Sequence, residues 1–346
     1  MKINRTEQEI MKYWTARKIP VASICCTTYN HEKYISDAID GFLIQETLFP
    51  FEIIIRDDCS TDNTANIIKT YVEKYPNIIK VIFETENQYS KGIRPMSVVF
   101  EKATGEYFAL CEGDDYWTDP SKLQEQVTFL EKNPDHGLVH TEVDWLFDNS
   151  GEIQSNWHQS LNYHNNQGDI YELLIDTNII VTCTVCVRKS LLDKYQSSDI
   201  FKMKFKMADY PMWLYISKIS KIGYLDTSTT VRRILEESAS NSKDMQNRWD
   251  FILTSYQIRE TFMEAYPVSP ETRNKVNIKF NRLKLSYGFL LINHAMAKES
   301  YSSLTKQKRI TMTNRLYLFG SLNKITNIIG RILFRLSRDI GLPSPR

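Results

Sequence analysis

The sequence predicts an α/β fold: a mostly parallel sheet flanked by helices, followed by a helical C-terminal region. Two observations lead to this prediction. From about residue 21 to residue 147, short apolar runs typical of buried strands alternate with segments whose apolar residues recur at helical spacing. From residue 246 onward the pattern is mostly helical. Strands that alternate with helices form parallel sheets with helices on both faces.

Five strands and four helices are predicted in the first region. The strands are 23–27, 51–56, 78–83, 107–111 and 138–147, and the helices are 34–45, 65–75, 95–102 and 121–131. Farther on, a loop is predicted for 151–169, strands for 179–188 and 222–234, and a helix for 209–219. A boundary is predicted near Ser242, so that one domain spans 1–242 and a helical region spans 243–346.

Bulk composition excludes several classes of protein. The 346 residues are 42% hydrophobic and 25% charged, which is typical of a soluble globular chain. A formal net charge of +1 gives no overall field for nucleic acid, so no nucleic-acid partner is predicted. No apolar run reaches the roughly 18 residues that span a bilayer, and the first residues lack a signal-peptide core. The six cysteines are therefore predicted to be reduced and buried, in a cytoplasmic protein.

Polar segments follow three of the predicted strands at the point where each strand ends. They are Thr28-Tyr29-Asn30, Asp57-Asp58 and the acidic run Glu112-Gly113-Asp114-Asp115. In open α/β sheets, ligands bind outside the carboxyl ends of the strands. We therefore expect the three segments to meet at one rim of the sheet and to form a ligand site there.

The acidic run has two interpretations. Its three carboxylates repel one another, and a divalent cation would neutralise them through oxygen ligands. Mg²⁺ or Mn²⁺ held there would stabilise a departing nucleoside diphosphate. Alternatively, the run is a solvated acidic turn that leads into a helix. The spacing alone favours neither.

Asp209 also has two interpretations. Its position two residues before Pro211 favours a helix cap. The alternative is a general base, because direct displacement at an anomeric carbon needs a carboxylate to take the proton of the acceptor hydroxyl. Residue type and position alone favour the cap.

Taken together, these motifs resemble family 2 glycosyltransferases, which have the GT-A fold. Thr28-Tyr29-Asn30 is similar to the family's TYN, FEIIIRDDCSTDNT at 51–64 resembles FEIIIVDDGSTDNT, and ATGEY at 103–107 matches the family form. CEGDDYWTDP at 111–120 resembles the form in bacterial polysaccharide transferases, and DYPMWL at 209–214 is similar to ED-Y-x-L-W-L. The motifs extend from residue 28 to residue 214, just over half of the chain.

The resemblance implies inverting transfer of a sugar from a nucleotide-sugar, commonly UDP-linked, to a glycan or lipid-linked acceptor in capsule, O-antigen or other surface-polysaccharide synthesis. It implies a nucleotide-binding part at about 21–147 and an acceptor part at about 148–242. The implied roles are Thr28, Tyr29 and Glu32 near the base, Asp58 on uracil or ribose, Lys91 on the diphosphate, Asp114 on ribose and metal, Asp115 on the Mn²⁺ or Mg²⁺ ion, and Asp209 as the catalytic base.

Three positions depart from the family pattern. Glu112 stands where aspartate is common, Ala208 replaces the glutamate of ED, and Leu235 stands where many members have a metal-binding histidine. The neighbouring Arg232 and Arg233 are either phosphate ligands or a solvated strand end. Two alternatives to sugar transfer remain: a nucleotidyltransferase, and a non-catalytic subunit that binds nucleotide-sugars or acts as a scaffold.

The C-terminal tail has the pattern of a cationic amphipathic helix. Its apolar positions are Leu322, Ile325, Ile328, Ile329, Ile332, Leu333, Leu336 and Ile340, and Lys324, Arg331, Arg335 and Arg338 occupy other positions. Such a helix either packs on the core or in a dimer, or binds the anionic inner face of the cell membrane as a peripheral anchor. The sequence leaves both open.

Overall fold

The computed structural model describes residues 4–17, 19–161, 166–203, 205–236 and 242–339. The chain divides into two compact units. The first consists of Met1–Leu174, Asn178–Lys204 and Ala208–Leu235, and the second of Ile175–Thr177, Phe205–Met207 and Glu236–Arg346.

The first unit is built on one sheet, which has nine strands among the described residues. They are β1 Ala22–Thr28, β2 Phe51–Asp57, β3 Ile79–Phe83, β4 Tyr107–Glu112, β5 Tyr116–Trp117, β6 His136–Phe147, β7 Glu152–Gln154, β8 Cys186–Arg188 and β9 Lys221–Ile234. Their order is β3-β2-β1-β4-β8-β6-β9-β5, with β7 on β6. The pairs among β1 to β4 and the pair β6–β9 are parallel, whereas the short strands β5, β7 and β8 pair antiparallel. The predicted α/β class is confirmed.

Helices flank this sheet, as predicted. Those that begin before residue 220 are α1 Glu7–Met11, α2 Ile35–Leu43, α3 Thr64–Lys74, α4 Pro95–Lys102, α5 Lys122–Lys132, α6 Trp157–Ser160, α7 Tyr171–Asp176, α8 Lys189–Gln196, α9 Asp199–Lys202 and α10 Asp209–Ile219. In α2 the apolar residues at helical spacing are all buried, together with Asp40 and Gly41: Ile35, Ala38, Ile39, Phe42 and Leu43. Strand β2 is buried along its whole length, as expected where helices cover a parallel sheet.

Two predicted elements are wrong. The predicted loop at 151–169 contains β7 and α6, and the predicted strand at 179–188 is a 3₁₀ turn, Thr182–Thr184, followed by the three-residue β8. One tertiary and one local hydrogen bond stabilise the turn: Trp117 Nε1 donates to Cys183 O at 3.0 Å, and Thr184 Oγ1 donates to Val181 O at 2.7 Å. All six cysteines are free, and five of them are buried as predicted, whereas Cys59 is partly exposed.

The second unit is helical. Its long helices are α11 Met245–Ala265, α12 Pro270–Leu290, α13 His294–Lys306, α14 Met312–Gly320 and α15 Lys324–Asp339. The first four each begin after a residue whose side chain accepts a backbone N–H of the first turn: Asp244, Ser269, Asn293 and Thr311. No helix that the structure describes combines the length and the apolar character needed to cross a bilayer.

Candidate active site

Hydrogen bonds join the loop after β1 to the loop after β2. The Asn30 N–H donates to Ser60 Oγ at 2.9 Å, and the Thr61 N–H donates back to Asn30 Oδ1 at 2.8 Å. The Asp58 N–H donates to Thr28 O at 3.0 Å. The first two polar segments that the sequence singled out therefore lie side by side at the carboxyl ends of neighbouring parallel strands.

The three residues expected near the base have different environments. Tyr29 presents a ring that is 43% exposed at the rim. Thr28 is 3% exposed, and its buried hydroxyl has no hydrogen-bond partner among the described residues. The carboxylate of Glu32 accepts the Asn63 N–H at 2.9 Å, at the start of α3. Glu32 thus ties two loops together, while Tyr29 offers a stacking surface.

Asp58 is held by groups that the sequence did not reveal. Its Oδ1 accepts from Arg56 Nη2 at 2.8 Å and from the Gln88 N–H at 2.9 Å, and its Oδ2 accepts the Tyr89 N–H at 3.0 Å. Arg56 is fully buried and also donates through Nε to Glu84 at 2.8 Å. A carboxylate offers about four lone-pair sites, so about one acceptor site of Asp58 remains for a ligand.

Lys91 lies on the 3₁₀ turn Tyr89–Lys91, whose first amide is bound to Asp58. Its ammonium forms an ion pair with Glu86, and the two side chains are 51% and 55% exposed. Exposed pairs of this kind contribute little to stability. Lys91 can therefore exchange Glu86 for an anionic ligand at small cost.

Cys59 adopts a backbone conformation that favours glycine. Its φ is +65°, in the left-handed region, and it stands where the similar family motif has glycine. A side chain there costs of the order of 1 kcal/mol. The tight turn persists because Asp57 Oδ1 accepts the Ser60 N–H at 3.3 Å.

The acidic run after β4 is anchored beside the end of β1. The Gly113 N–H donates to Thr27 O at 2.9 Å, and a Cβ on Gly113 would lie 2.7 Å from Thr28 Oγ1. Only glycine fits this close approach. The third polar segment therefore joins the other two at the same rim of the sheet.

Arg233, on strand β9, holds the acidic run through hydrogen bonds to Asp115 and Asp114. Its N–H donates to Asp115 Oδ1 at 2.8 Å, and its Nη1 donates to Asp114 O at 2.8 Å. The side chain is 7% exposed, pairs with Asp37 and stacks on Tyr116 at 4.6 Å. Arg233 is thus neither a solvated strand end nor an open phosphate ligand, because its hydrogen-bonding groups already serve the site's own backbone and carboxylates.

Asp209 is the first residue of α10, and Ala208 occupies the N-cap position. The interpretation of Asp209 as the N-cap is therefore wrong. Its Oδ1 accepts the Tyr210 N–H at 2.8 Å, and its Oδ2 accepts from Thr182 Oγ1 at 3.4 Å. Burial raises the pKa of Asp209, which suits a carboxylate that is to receive a proton.

Four carboxylates lie close enough to affect one another's pKa: Glu112, Asp114, Asp115 and Asp209. Burial, followed by Asp115, Asp114 and Asp209, raises the pKa of Glu112 well above its usual range. Burial and then Asp114 raise the pKa of Asp115 to about 7. The guanidinium of Arg232 acts in the opposite direction on both, and it lies over the ring of Trp145 at 5.3 Å. The pKa values of Glu112 and Asp115 stay raised although Arg232 and Arg233 are close, so this cluster would favour a bound cation.

The carboxylate oxygens of Asp114 and Asp115 are ligands that suit a hard divalent cation. Within the described residues, no three His, Cys, Asp or Glu side chains converge into a complete metal cage. Mg²⁺ and Mn²⁺ seldom need one, because they keep several waters and bind one or two carboxylates together with substrate phosphates. Asp114 and Asp115 would hold the ion, because burial and the neighbouring Asp114 raise the pKa of Asp115, and a cation would offset both effects.

The sequence profile described as "Glycosyl transferase family 2" matches residues 23–196, about half of the chain. The chain belongs to this family. An uncharacterized protein of Mycobacterium tuberculosis is 37% identical over 172 residues, which are 48% of this chain and 46% of that protein. The chain thus spans about half the length of this curated relative.

Two solved structures share the fold of this family 2 member. One is Staphylococcus aureus TarS 1-349 in complex with UDP-GlcNAc, with a TM-score of 0.52, 18% identity, and coverage of 94% and 93% of the two chains. TarS is described as a poly(ribitol-phosphate) β-N-acetylglucosaminyltransferase, and in sequence it is 32% identical over 115 residues, 32% of this chain and 19% of TarS.

The other is a mannosyltransferase from Pyrobaculum calidifontis in complex with GDP-Man and Mn²⁺. Its TM-score is 0.55 at 14% identity, and the match covers 94% and 93% of the two chains. The predicted GT-A fold is confirmed by these two structures.

A buried polar network lies next to Trp157 and Trp145, and Arg232 lies over the ring of Trp145. Glu142 accepts from His158 Nδ1 at 2.9 Å and from Tyr224 Oη at 2.8 Å. The neighbouring Trp157 stacks on Trp145 with ring centroids 4.5 Å apart. The network therefore fixes the aromatic pair over which Arg232 lies. Sequence reasoning missed it, because its members come from the segment predicted as a loop and from two distant strands.

His140 packs against the rings of His158 and Tyr224 in this network, and it gives an expected pH dependence. It is fully buried, and burial and then His158 lower its pKa to about 3. An unfolded histidine titrates near pH 6.5, so the unfolded state binds more protons below that value. The free energy of unfolding should fall by about 1.4 kcal/mol per pH unit as the pH drops below about 6.5.

Urea unfolding at several pH values between about 7 and 5 measures this slope. In His140→Phe, which keeps the ring, the slope should be smaller by about one proton. If the variant is less stable but keeps the wild-type slope, buried neutral His140 is not the cause of the pH dependence.

Proposed function

We propose that this chain transfers a sugar, with inversion, from a nucleotide-sugar donor to a polysaccharide or lipid-linked glycan of the bacterial surface. The observation that carries the proposal is the cluster of Glu112, Asp114, Asp115 and Asp209 at the rim where the nucleotide-binding loops meet. Family membership and the named activity of TarS support this reaction class.

On the donor side, Tyr29 stacks on the base and the remaining acceptor site of Asp58 binds the base or ribose. Asp114 binds ribose and, with Asp115, a Mn²⁺ or Mg²⁺ ion. The bound ion supplies a Lewis acid that stabilises the negative charge of the leaving diphosphate. Lys91, freed from Glu86, adds positive charge there. We propose a UDP-linked donor, as TarS 1-349 in complex with UDP-GlcNAc has the same fold.

On the acceptor side, Asp209 takes the proton of the attacking hydroxyl. The Tyr210 N–H and the Thr182 hydroxyl orient its carboxylate. Because burial raises its pKa, Asp209 is a stronger base than an exposed aspartate. One displacement with a base on the side opposite the leaving group gives an inverted anomeric centre.

Two alternative functions are less well supported. A nucleotidyltransferase needs no base in the position of Asp209, and the family match favours sugar transfer. In a non-catalytic scaffold, Asp209 would have no role. The replacement of the usual glutamate by Ala208 is nevertheless compatible with a scaffold. Turnover distinguishes the scaffold from the enzyme.

Metal-dependent donor binding is the first expected result. In a thermal-shift panel, a UDP-sugar with Mn²⁺ should raise the Tm by several degrees, since a ligand at a hundredfold excess over its Kd contributes about 2.7 kcal/mol. Chelation with EDTA should remove the shift, and Asp114→Asn should abolish it. A matched control is Asp148→Asn, an exposed aspartate outside the acidic run. An equal shift with EDTA would contradict the metal's role in binding the donor.

A further inference from the structure

Helix α15 turns its large apolar side chains outward from the helical unit. Leu322, just before the helix, is 49% exposed, and five side chains on the helix are exposed by 41% to 71%: Ile325, Ile328, Ile329, Ile332 and Leu333. At about 100° per residue they fall within an arc of about 140°. Soluble proteins seldom leave a continuous apolar surface of this kind uncovered.

On the opposite side of α15, Asn327 and Gly330 make contacts within the unit. Asn327 is 4% exposed, and its Nδ2 donates to Phe289 O at 2.6 Å and to Gly320 O at 3.2 Å. A Cβ on Gly330 would lie 3.0 Å from the Phe289 ring. The apolar side therefore does not pack on this unit, which removes one of the interpretations that the sequence left open.

Positive charge lies beside the exposed apolar surface. Lys324 and Arg331 are exposed and follow the apolar arc around the helix. From residue 321 to residue 338 the sequence has four basic residues and no acidic residue. On the preceding helix α14, Met312 is 67% exposed and Phe319 is 41% exposed.

The basic residues of α15 indicate whether a lipid surface or a second copy of the chain covers its apolar side. A symmetric dimer through α15 would bring the same basic residues together, and like charges destabilise such a contact. An anionic lipid surface is complementary to both the basic and the apolar side.

We propose that α15 binds an anionic membrane surface, with its axis along the surface and its apolar side inserted at the boundary between headgroups and acyl chains. The inference is independent of the proposed sugar transfer. It gives the chain an amphipathic contact that lies on the membrane without crossing it.

Vesicle flotation with the full-length protein tests this proposal. Wild type should float with vesicles that contain phosphatidylglycerol and should stay unbound with phosphatidylcholine alone, and added salt should weaken the binding. The double variant Ile328→Ser/Ile332→Ser should lower the partition coefficient at least about tenfold. Its helix content and Tm should equal those of wild type, because both side chains are exposed.

The matched control is Ile19→Ser/Ile153→Ser, which removes two exposed isoleucines from the other unit. This variant should bind vesicles like wild type. Lack of wild-type binding to anionic vesicles would overturn the proposal, and so would equal binding by Ile328→Ser/Ile332→Ser. A loss of dimer in sedimentation by that variant, with no vesicle binding in wild type, would assign the surface to a second copy instead.

Discussion

Asp209→Asn is expected to lower kcat by about a thousandfold while the Kd for the nucleotide-sugar changes by no more than a few-fold. General-base catalysis contributes about 10² to 10⁴ in rate. Asparagine keeps an oxygen that can accept the Tyr210 N–H, so the start of α10 should be preserved. Initial rates of nucleoside diphosphate release, with donor binding measured by calorimetry, provide the two quantities.

A matched control for this variant lies in the same unit. Asp199 is the first residue of α9, as Asp209 is of α10, but its side chain is 89% exposed. Asp199→Asn should therefore retain the wild-type kcat. Near-wild-type turnover in Asp209→Asn would rule out Asp209 as the base, whereas a parallel loss of donor binding would indicate a role in the donor site instead.

Arg56→Met should destabilise the first unit by about 3–5 kcal/mol, because it leaves a buried carboxylate without its partner. Arg56 is fully buried, and Asp58, which accepts its hydrogen bond at 2.8 Å, has a side chain only 5% exposed. The same arginine holds Glu84. The loop that carries the Asp58 acceptor site should also loosen, so donor affinity should fall together with stability. Urea unfolding measures the change in free energy.

Lys80→Met is the matched control for Arg56→Met. Lys80 also pairs with a buried acid on the same sheet, Glu52, but Lys80 itself is 56% exposed. Glu52 keeps hydrogen bonds from Ser23 and Thr104 at Oε1 and loses only the lysine at Oε2. This variant should therefore cost less than Arg56→Met, which removes the partner of two carboxylates, Asp58 and Glu84. Adding Asp58→Asn to Arg56→Met should recover part of the lost stability. A cost below about 1 kcal/mol for Arg56→Met would contradict the buried ion pair.

The strand ends and the rim could be predicted from the sequence, because both depend on local patterns. The sequence predicts strand β1 at 23–27, and the strand spans Ala22–Thr28; helix α4 begins and ends as predicted. Apolar runs that end in polar segments place those segments at the carboxyl edge of a parallel sheet wherever the chain pairs as expected. The meeting of the loops after β1, β2 and β4 follows from that rule.

The partners of buried charges could not be predicted in the same way. Arg233 bonds Asp37, 196 residues away along the chain, and this pairing depends on the register between β9, β6 and β5. Likewise, nothing in a local pattern indicates that Arg56 and two backbone amides already use most of the acceptor sites of Asp58. The predicted strand at 179–188 failed for a related reason, since contacts with Trp117 favour a turn.

Release of UDP from a UDP-linked sugar, with Mn²⁺ and then with EDTA, tests the proposed function most directly. If Glu112, Asp114, Asp115 and Asp209 form a catalytic site, wild type should release UDP in the presence of Mn²⁺, even slowly to water, and chelation should stop the reaction. The product formed with an acceptor should have the anomeric configuration opposite to that of the donor. Donor binding without any Mn²⁺-dependent release of UDP, across a panel of sugars and acceptors, would contradict the proposal and favour a scaffold.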